Sequence, residues 1–392
     1  MANSLYNALP TTIFTVMSGL ASEANAINLG QGFPDEPGPR ALLDAAARAL
    51  VEKSNQYPPM PGLLELRRAI SGHYARTQGL DLDPAASITV TSGATEALAC
   101  AFLSLIEPGD EVVLFQPLYD AYLPMVRRAG GVPRLARLQP PHWRLERAML
   151  EALFTSRTRL VVVNTPLNPT ATMFGDEDLA LLSEFCVRYD VTAVCDEVWE
   201  QVVLDGDRHR TLMAYPGMGE RTVKIGSAGK MFALTGWKVG WLLAAPELSR
   251  TLSKAHQFLT FTTAPHLQWA VTEGLTDPGD WFETMPRDLA ASRDHLASAL
   301  RAQGFAVLPG AGTYFLNVDL AASGIAEGDL DFALRAVKEA GVAGIPVSSF
   351  YESDPVTHVL RLCFAKRDET LDEAVVRLAR ARDLSCAATR AA

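Results

Sequence analysis

The sequence predicts an α/β fold with a mostly parallel central sheet flanked by helices, followed by a smaller α+β domain. From residue 87 onward, short apolar runs alternate with segments of helical period, which is typical of a parallel sheet buried on both faces. This alternation ends after a long helical segment at 281–302. With 392 residues, 48% of them hydrophobic, the chain suits one large domain or two moderate ones with real cores.

These patterns predict three parts along the chain. Residues 1–45 form an N-terminal segment that joins the small domain, residues 46–282 form the large domain, and residues 283–392 form the small C-terminal domain. The N-terminal segment carries a helical pattern at 11–21. The sequence contains no internal repeat and no low-complexity region.

The predicted elements follow one another in a regular order. In the large domain, helices are expected at 39–53 and 63–76, joined by a proline-rich loop at 55–62 whose φ angles are restricted. The strands expected in this domain lie at 87–91, 111–115, 131–138, 159–164, 191–195, 221–225 and 239–244. The helices that alternate with them lie at 97–103, 145–154, 179–189, 248–258 and 266–275. After the helix at 281–302, the small domain is expected to contain strands at 305–308, 313–318, 342–347 and 358–364 and helices at 330–340 and 369–381.

Composition and charge exclude several classes of protein. The net charge of -10 and the lack of a basic cluster argue against binding to nucleic acid. No apolar stretch approaches membrane-spanning length, and the N-terminus lacks the basic region and apolar run of a signal peptide. The odd number of cysteines, none in C-x-x-C spacing, argues against a disulfide framework or a zinc site. We therefore expect a cytoplasmic protein that binds neither a membrane nor a metal ion.

The segment 227–238, which follows the predicted strand 221–225, gives the first indication of chemistry. Lys230 lies there among alanine, glycine, methionine and phenylalanine residues, and burial in such surroundings disfavours the ammonium form. A neutral lysine amine can attack a carbonyl carbon and form a Schiff base. The alternative is a lysine that extends its charged end to water from a strand end, which is the commoner case for a lone lysine.

Two further polar residues follow apolar strands. Asp196 closes the strand 191–195, and a carboxylate at that position points into the ligand crevice of an α/β sheet. Asn168 lies between two prolines just beyond the strand 159–164, so its amide is held rigidly. Each residue also has a purely local interpretation, because aspartate can cap a loop and asparagine is common in turns.

The turn at 92–95 has the pattern of an anion site. It contains glycine and precedes a helix, and a helix N-terminus offers free N–H groups together with a positive dipole end. A simple Ser/Thr cap with Glu96 in the first turn is compatible with the same residues. Tyr119 lies just past the strand 111–115, where an aromatic ring can stack on a flat ligand, although packing is the commoner role.

Arg361 is the charged residue in the otherwise apolar strand 358–364. A buried guanidinium is costly unless it meets an anion, and its planar fork matches a carboxylate. The alternative is an edge strand whose arginine faces water. Gly30 and Gly32 precede Pro34 in a segment that lacks the third glycine of a dinucleotide-binding fingerprint. These two glycines either let the backbone approach a ligand or form an ordinary turn.

Taken in order, these motifs resemble those of the class I/II aminotransferases of pyridoxal-phosphate fold type I. The resemblance rests on Asn164-Thr-Pro-Leu-Asn168-Pro, Asp196-Glu-Val, Ser227-Ala-Gly-Lys230 and Gly236-Trp-Lys-Val-Gly240. It extends over nearly the whole chain, from the segment 27–35 to the segment 361–366. Within the class, the chain is similar to kynurenine, glutamine and methionine aminotransferases and to proteins described as N-succinyldiaminopimelate aminotransferases.

The resemblance implies a role in cofactor binding for most of the matching residues. Lys230 is expected to hold pyridoxal 5′-phosphate (PLP) as a Schiff base and then to act as the catalytic base. Asp196 is expected to pair with the pyridine nitrogen, Asn168 to bond the phenolic oxygen, and Tyr119 to stack on the ring. The groups expected to receive the phosphate are the N–H groups of Gly93, Ala94 and Thr95 together with Ser227 and Lys238.

The resemblance also implies how substrate and a partner subunit bind. Arg361 is expected to bind the substrate carboxylate with help from the Gly32 backbone and Asn168, and Phe14 to line the substrate pocket. Tyr57 is expected to reach the phosphate of a partner subunit, which implies a homodimer with its sites at the interface.

Two positions depart from the family pattern. The family commonly has tyrosine where this chain has Trp199, and an indole N–H can donate a hydrogen bond but cannot accept one. Trp199 either replaces the tyrosine hydroxyl as a hydrogen-bond donor to the phenolic oxygen of PLP or makes no such contact. In the second case Asn168 is the main donor. Lys238 stands where many relatives carry arginine, which keeps the charge but loses the bidentate fork.

The sequence thus predicts a PLP-dependent aminotransferase that moves an amino group from an L-amino acid to a 2-oxo acid in two half-reactions. Phe14, Tyr57, Tyr119 and Trp199 favour an apolar, aromatic or sulfur-containing substrate, and the lack of a second matching arginine weighs against aspartate. The alternatives are β-elimination from cysteine S-conjugates on the same scaffold and a catalytically silent PLP-binding regulator. A dinucleotide-dependent dehydrogenase and a serine hydrolase are disfavoured, because the third glycine and the nucleophile-elbow spacing are missing.

Overall fold

The computed structural model describes residues 3–391, with residues 388–391 as backbone only. Residues 1–2 and 392, the outermost residues of the predicted terminal segments, lie outside the described residues. The helices are Ser4–Ala8 (α1), Ile13–Glu23 (α2), Arg40–Glu52 (α3), Leu64–Gln78 (α4), Ala94–Leu105 (α5), Tyr122–Arg128 (α6), Arg147–Leu153 (α7), Asp176–Tyr189 (α8), Ala228–Met231 (α9), Pro246–Leu259 (α10), Pro265–Thr276 (α11), Trp281–Ala302 (α12), Asp329–Arg335 (α13) and Asp368–Ala391 (α14). The strands are Ile27–Asn28 (β1), Ile88–Thr91 (β2), Glu111–Gln116 (β3), Val132–Arg137 (β4), Thr158–Asn164 (β5), Thr192–Asp196 (β6), Thr222–Ser227 (β7), Gly240–Leu243 (β8), Ala306–Val307 (β9), Phe315–Asp319 (β10), Val342–Ala343 (β11), Ile345–Pro346 (β12) and Val359–Cys363 (β13).

The central element is a seven-stranded sheet in the order β2-β8-β7-β6-β5-β3-β4. Strands β3 to β7 pair in parallel, whereas β8 runs antiparallel to both of its neighbours, β7 and β2. The predicted α/β fold with a mostly parallel sheet is therefore confirmed. Because β2 points the same way as the parallel strands, the carboxyl ends of β2, β5, β6 and β7 meet at one edge of the sheet.

Side chains of the central strands are buried on both faces of the sheet. On β5, Leu160 and Val162 belong to an apolar cluster that includes residues of α5. Their neighbours Val161 and Val163 belong to a second cluster, which includes residues of α8. Helices on both faces thus explain why these strands are continuously apolar in sequence rather than alternating.

A second, four-stranded antiparallel sheet has the order β12-β13-β10-β9. It shares an apolar cluster with helices α12 and α14 and with Met17 and Ala21 of α2. The N-terminal segment also reaches this part of the chain through β1, which pairs in parallel with β11. No helix among residues 3–391 combines the length and apolarity needed to cross a membrane.

Two expectations about the C-terminal part are wrong in detail, and one alternative is excluded. The predicted strand at 342–347 is two short strands in different sheets, and the break falls at Gly344, where a Cβ atom would lie 2.9 Å from Leu362. The predicted helix at 330–340 changes after α13 into a π-helical turn at Ala336–Ala340. The strand of Arg361 is not at an edge, because β13 lies between β12 and β10.

Candidate active site

A cavity of about 200 Å³ lies where the carboxyl ends of β2, β5, β6 and β7 meet. This is the position at which ligands bind in open α/β sheets. The predicted site residues that line it are Gly93, Ala94, Thr95, Tyr119, Asn168, Asp196, Trp199, Ser227, Lys230 and Lys238. The structure therefore brings together two lysines, one carboxylate and one glycine-containing turn that are separated by up to 145 positions in the sequence numbering, from Gly93 to Lys238.

Lys230 lies on α9, a single helical turn that directly follows β7. Its Nζ atom lies 4.4 Å from the centroid of the Trp199 ring. The Tyr314 hydroxyl donates a hydrogen bond to the Lys230 carbonyl at 3.0 Å, which ties this turn to the second sheet. Burial lowers the pKa of Lys230 to about 8, so an appreciable fraction of the amine is neutral and nucleophilic near neutral pH.

Asp196 is buried at the end of β6, and its two carboxylate oxygens differ in their partners. The Tyr122 hydroxyl donates to Oδ2 at 2.6 Å, whereas Oδ1 has no hydrogen-bond partner among the described residues. Burial raises the pKa of Asp196, and the bond from Tyr122 opposes that effect. The backbone carbonyl of the same residue accepts from Asn164 Nδ2 at 2.9 Å. The cavity wall thus presents one fixed carboxylate oxygen that can accept a hydrogen bond from a ligand.

The turn at 92–95 converges with Lys238 on one side of the cavity. Gly93 has a φ of 80°, a left-handed conformation that favours glycine, and α5 begins at the next residue. A Cβ atom on Gly93 would lie 3.3 Å from Lys238 Nζ, so this ammonium group is close to the free N–H groups of α5. The absence of a side chain on Gly240 brings β8 against the turn, since a Cβ there would lie 2.9 Å from the Ala94 nitrogen. Backbone donors, a helix N-terminus and an ammonium group together form an anion site.

Arg361 is buried beside the cavity and is connected to it by a hydrogen bond to Asn168, which lines the cavity. Its Nη1 atom donates to Asn168 Oδ1 at 2.7 Å and its Nη2 atom donates to the Gly30 carbonyl at 2.7 Å, whereas Nε has no partner among the described residues. The guanidinium carbon lies 3.8 Å from the ring centroid of Phe315 and 5.2 Å from that of Phe14. Burial lowers the pKa of Arg361 to about 9, which leaves the group charged at neutral pH.

Four predicted site residues do not line the cavity within the described part of the chain: Gly32, Phe14, Tyr57 and Arg361. Phe14 nevertheless contacts the guanidinium of Arg361, and Gly32 contacts it indirectly through Phe315. A Cβ atom on Gly32 would lie 2.7 Å from Cζ of Phe315, the ring on which that guanidinium packs. Tyr57 is 83% exposed and contacts Phe261, with 5.6 Å between ring centroids.

Trp199, the residue that departs from the family pattern, is buried and packs edge-to-face against Tyr314 at 4.7 Å between ring centroids. Its ring lies beside the Lys230 ammonium and lines the cavity. The indole is therefore part of the wall of the site, and its cation–π contact favours the charged form of the lysine.

Sequence reasoning assigned no role to Tyr122, although its hydroxyl is the one that holds Asp196. Helical spacing gave no signal for Tyr122, because α6 begins at that residue and Tyr119 lies before it. The two rings meet edge-to-face at 5.7 Å in the structure.

A buried cluster of charges supports the segment 196–200 from behind the cavity. Lys224 Nζ is bonded to Glu200 Oε2 at 2.6 Å and also to Glu197, and the side chains of all three residues are fully buried. Although burial alone would lower it, the pKa of Lys224 is raised by these two carboxylates. Glu197 also accepts a hydrogen bond from the Thr211 hydroxyl at 3.0 Å and lies 2.6 Å from His209 Nε2. No local sequence pattern identified Lys224 as one of its partners.

The family model for aminotransferase class I and II matches residues 24–378 of this chain. The chain belongs to the class I and II aminotransferases. A methionine aminotransferase of Escherichia coli (strain K12) is 42% identical over 371 residues, which covers 94% of this chain and 96% of that protein. Kynurenine–oxoglutarate transaminase 1 of Homo sapiens is 35% identical over 385 residues, with 90% of this chain and 91% of that protein covered.

Solved structures of aminotransferases share the same fold. The N-succinyldiaminopimelate aminotransferase from Mycobacterium tuberculosis superposes with a TM-score of 0.94 at 41% identity, over 97% of this chain and 100% of that chain. The predicted family and the predicted aminotransferase activity are therefore confirmed. Neither β-elimination nor a catalytically silent regulator is favoured by these relatives, which are named as aminotransferases.

Proposed function

We propose that this aminotransferase binds PLP in the cavity through Lys230 and transfers the amino group of an apolar, aromatic or sulfur-containing L-amino acid to a 2-oxo acid. The observation that carries the proposal is the unpartnered Oδ1 of the buried Asp196 in a cavity that also contains Lys230. When bound, PLP supplies an aldehyde that condenses with amines and a protonated ring that accepts electrons from the substrate α-carbon. Its ring nitrogen, aldehyde and phosphate match the carboxylate, the amine and the anion site of this cavity.

Each of the residues around the cavity then has a separate proposed role. Asp196, oriented by Tyr122, would accept a hydrogen bond from the ring nitrogen and keep that nitrogen protonated. Lys230 would hold the cofactor and afterwards take the proton from the substrate α-carbon as a general base. Asn168, whose Oδ1 is occupied by Arg361, has its Nδ2 available to donate to the phenolic oxygen.

The phosphate is proposed to bind at the turn that begins α5. The proposed donors are the N–H groups of Gly93, Ala94 and Thr95, the Ser227 hydroxyl and the Lys238 ammonium. Their support is the position of all five residues in the lining of one cavity and the left-handed conformation of Gly93.

Arg361 is proposed to bind the substrate carboxylate, and the surroundings of its guanidinium favour an apolar side chain. Phe14, Phe315 and Phe350 surround it, and its carbon lies 5.4 Å from the ring centroid of Phe350. The adjacent groove of about 440 Å³ is lined largely by apolar residues, and its Arg127 is already paired with Glu352 at 2.6 Å. A side-chain carboxylate would therefore meet no free cation among the groove residues that the structure describes.

A panel of amino donors tests this choice of substrate. Initial rates with methionine, phenylalanine, kynurenine, glutamine and aspartate are measured against 2-oxoglutarate and against 2-oxo-4-methylthiobutyrate. We expect kcat/KM for the best apolar donor to exceed that for aspartate by at least about tenfold, since a buried unpaired carboxylate costs more than 1.4 kcal/mol. A preference for aspartate would contradict the proposed substrate class.

We also propose that the protein is a homodimer in which Tyr57 reaches the phosphate of the partner subunit. The proposal is supported by exposed apolar side chains on the segments that carry Tyr57 and its contact Phe261, because exposed apolar surface marks association sites. Tyr57 contacts Phe261, and Phe258 and Val51 are 84% and 83% exposed. Sedimentation velocity of the wild type and of Phe258→Glu tests this: a dimer that the substitution weakens supports the proposal, and a wild-type monomer contradicts it.

The domain division and the location of the protein are likewise proposals. The division into residues 1–45, 46–282 and 283–392 is supported by the apolar cluster that joins α2 to α12 and α14. The boundary at 282/283 falls near the start of α12. A cytoplasmic location is supported by the cysteines of the chain, all five of which are free thiols, as expected in a reducing compartment.

A further inference from the structure

His256 on α10 is fully buried between two hydrogen-bond acceptors. Its Nδ1 atom lies 2.5 Å from Glu96 Oε1, and its Nε2 atom lies 2.9 Å from the Met60 carbonyl oxygen. An ionised carboxylate and a backbone carbonyl can only accept, so both ring nitrogens must carry hydrogen. In this geometry the ring donates through both nitrogens and is an imidazolium ion paired with Glu96.

Glu96 is held in its ionised form by the groups around it. Its second oxygen, Oε2, accepts a hydrogen bond from the Ser92 backbone N–H at 2.5 Å, and the Cys100 thiol lies 3.5 Å from Oε1. Although burial opposes ionisation, the hydrogen bond and charge of His256 lower the pKa of Glu96. The two side chains thus form a buried ion pair that is not used in the aminotransferase chemistry described above.

The ion pair lies directly behind the proposed phosphate site. Glu96 belongs to the first turn of α5, and the preceding residues 93–95 provide the proposed N–H donors. By accepting from Ser92, Glu96 fixes the start of this turn, but an unpaired carboxylate there would repel a phosphate dianion. In a buried setting such repulsion is only weakly screened by salt.

We propose that His256 is a positioning residue for the cofactor phosphate: its positive charge neutralises Glu96, so that this carboxylate can hold the anion-binding turn without repelling the phosphate. Because it concerns the phosphate of PLP, the role of His256 rests on the proposed function. The same imidazolium also fixes the Met60 carbonyl, and thereby the loop that carries Tyr57, against the phosphate turn.

The test compares two probes that differ only in the phosphate group, PLP and pyridoxal. Their dissociation constants are measured by absorbance titration of the cofactor-free protein, for the wild type, His256→Gln and the double variant Glu96→Gln/His256→Gln. The matched control is His142→Gln, which makes the same change at an exposed residue. Circular dichroism verifies the fold of each variant.

Removing the imidazolium alone leaves Glu96 as an unpaired charge. We expect His256→Gln to reduce the preference for PLP over pyridoxal by at least about tenfold, because the added repulsion acts only on the phosphate. The double variant removes both charges, and we expect it to recover the preference to within about threefold of the wild-type value. If His256 acted through packing alone, its loss would weaken the binding of PLP and of pyridoxal equally. Adding Glu96→Gln would then not restore binding.

Each outcome decides between distinct conclusions. If wild-type protein binds PLP no more tightly than pyridoxal, the proposed phosphate site and with it the proposed function are wrong. If the wild type prefers PLP but His256→Gln keeps that preference, or the double variant fails to recover it, the role of His256 is overturned while the proposed function stands. Should His256→Gln not fold, His256→Lys and the double variant replace it, since the pair is neutral in both. In that case, a tenfold loss of the preference for PLP over pyridoxal in His256→Lys or in the double variant overturns the proposed role of His256.

Discussion

Tyr122 donates its hydroxyl hydrogen to Oδ2 of Asp196 at 2.6 Å and leaves Oδ1 of that buried carboxylate unpartnered among the described residues. A buried polar atom without a partner is rare in native proteins, and in a cavity it marks the position of a ligand group. Tyr122 therefore fixes the orientation of the Asp196 carboxylate, so that Oδ1 is held in one direction.

Tyr122→Phe is expected to weaken PLP binding by about tenfold, within the range of about 1–3 kcal/mol for a buried group that loses its hydrogen-bond partner. Without this donor the pKa of Asp196 rises further, so the carboxylate is less able to keep the ring nitrogen protonated. Absorbance titration of the cofactor-free protein measures the effect. The matched control is Tyr215→Phe, which removes a tyrosine–aspartate hydrogen bond of 2.8 Å at the surface. Equal affinities in the two variants would contradict the assignment.

The rate at which cofactor-free protein takes up PLP is expected to rise with pH and to level off above pH 8. Burial lowers the pKa of Lys230 to about 8 from the ordinary 10.5, so the neutral amine predominates above that pH and becomes scarcer below it. Stopped-flow absorbance measures the rate, and free N-acetyl-lysinamide serves as the control whose rate keeps rising toward pH 10. A protein rate that also rises without a plateau to pH 10 would mean that the lysine is not perturbed.

Arg361→Lys is expected to reduce kcat/KM for the amino donor about 100-fold, through KM more than through kcat. A lysine keeps the charge but cannot form the bidentate fork on a carboxylate or reach both Asn168 and the Gly30 carbonyl. Steady-state kinetics with a saturating oxo acid measure the loss. The control, Arg367→Lys, makes the same exchange at an exposed position and should stay within about twofold of the wild type. A change of less than about fivefold in Arg361→Lys would exclude a direct contact with substrate.

Lys224→Met is expected to lower the free energy of unfolding by about 3–5 kcal/mol, because it removes the buried cation that Glu197 and Glu200 share and leaves Glu200 without a charged partner among the described residues. Urea unfolding of the cofactor-free protein measures the change. Lys254→Met, at an exposed position on α10, is the control and should change stability by no more than about 0.5 kcal/mol. If both variants are equally stable, the buried cluster does not support the segment 196–200.

Much of the fold could be predicted from the sequence because its signals are local. The buried strands β5 and β6 are continuous apolar runs, and their neighbouring helices have helical period. Where the prediction was wrong, a contact between distant residues decided the structure. Gly344 divides the predicted strand 342–347 because Leu360 and Leu362 of β13 leave no room for a side chain there.

Local sequence patterns likewise predict part of the site, whereas contacts between distant residues determine the rest. Lys230, Asp196 and Asn168 follow strands in sequence, so the parallel order of those strands was enough to bring them together. Tyr122, Lys224 and His256 act through partners that are 24 to 160 positions away, and no local pattern identifies such pairs. The aromatic surroundings of Arg361 were also unpredictable, because Phe14, Phe315 and Phe350 lie on three separate elements.

The attachment point of PLP is the most direct test of the central claim. The protein is incubated with PLP, the imine is reduced with borohydride, and the peptides are mapped by mass spectrometry. The cavity geometry predicts a single modified peptide that carries the pyridoxyl group on Lys230, and it predicts that Lys230→Ala loses both the label and the visible absorbance of the bound cofactor. Labelling at another lysine with Lys230 unmodified, or an unchanged absorbance band in Lys230→Ala, would contradict it.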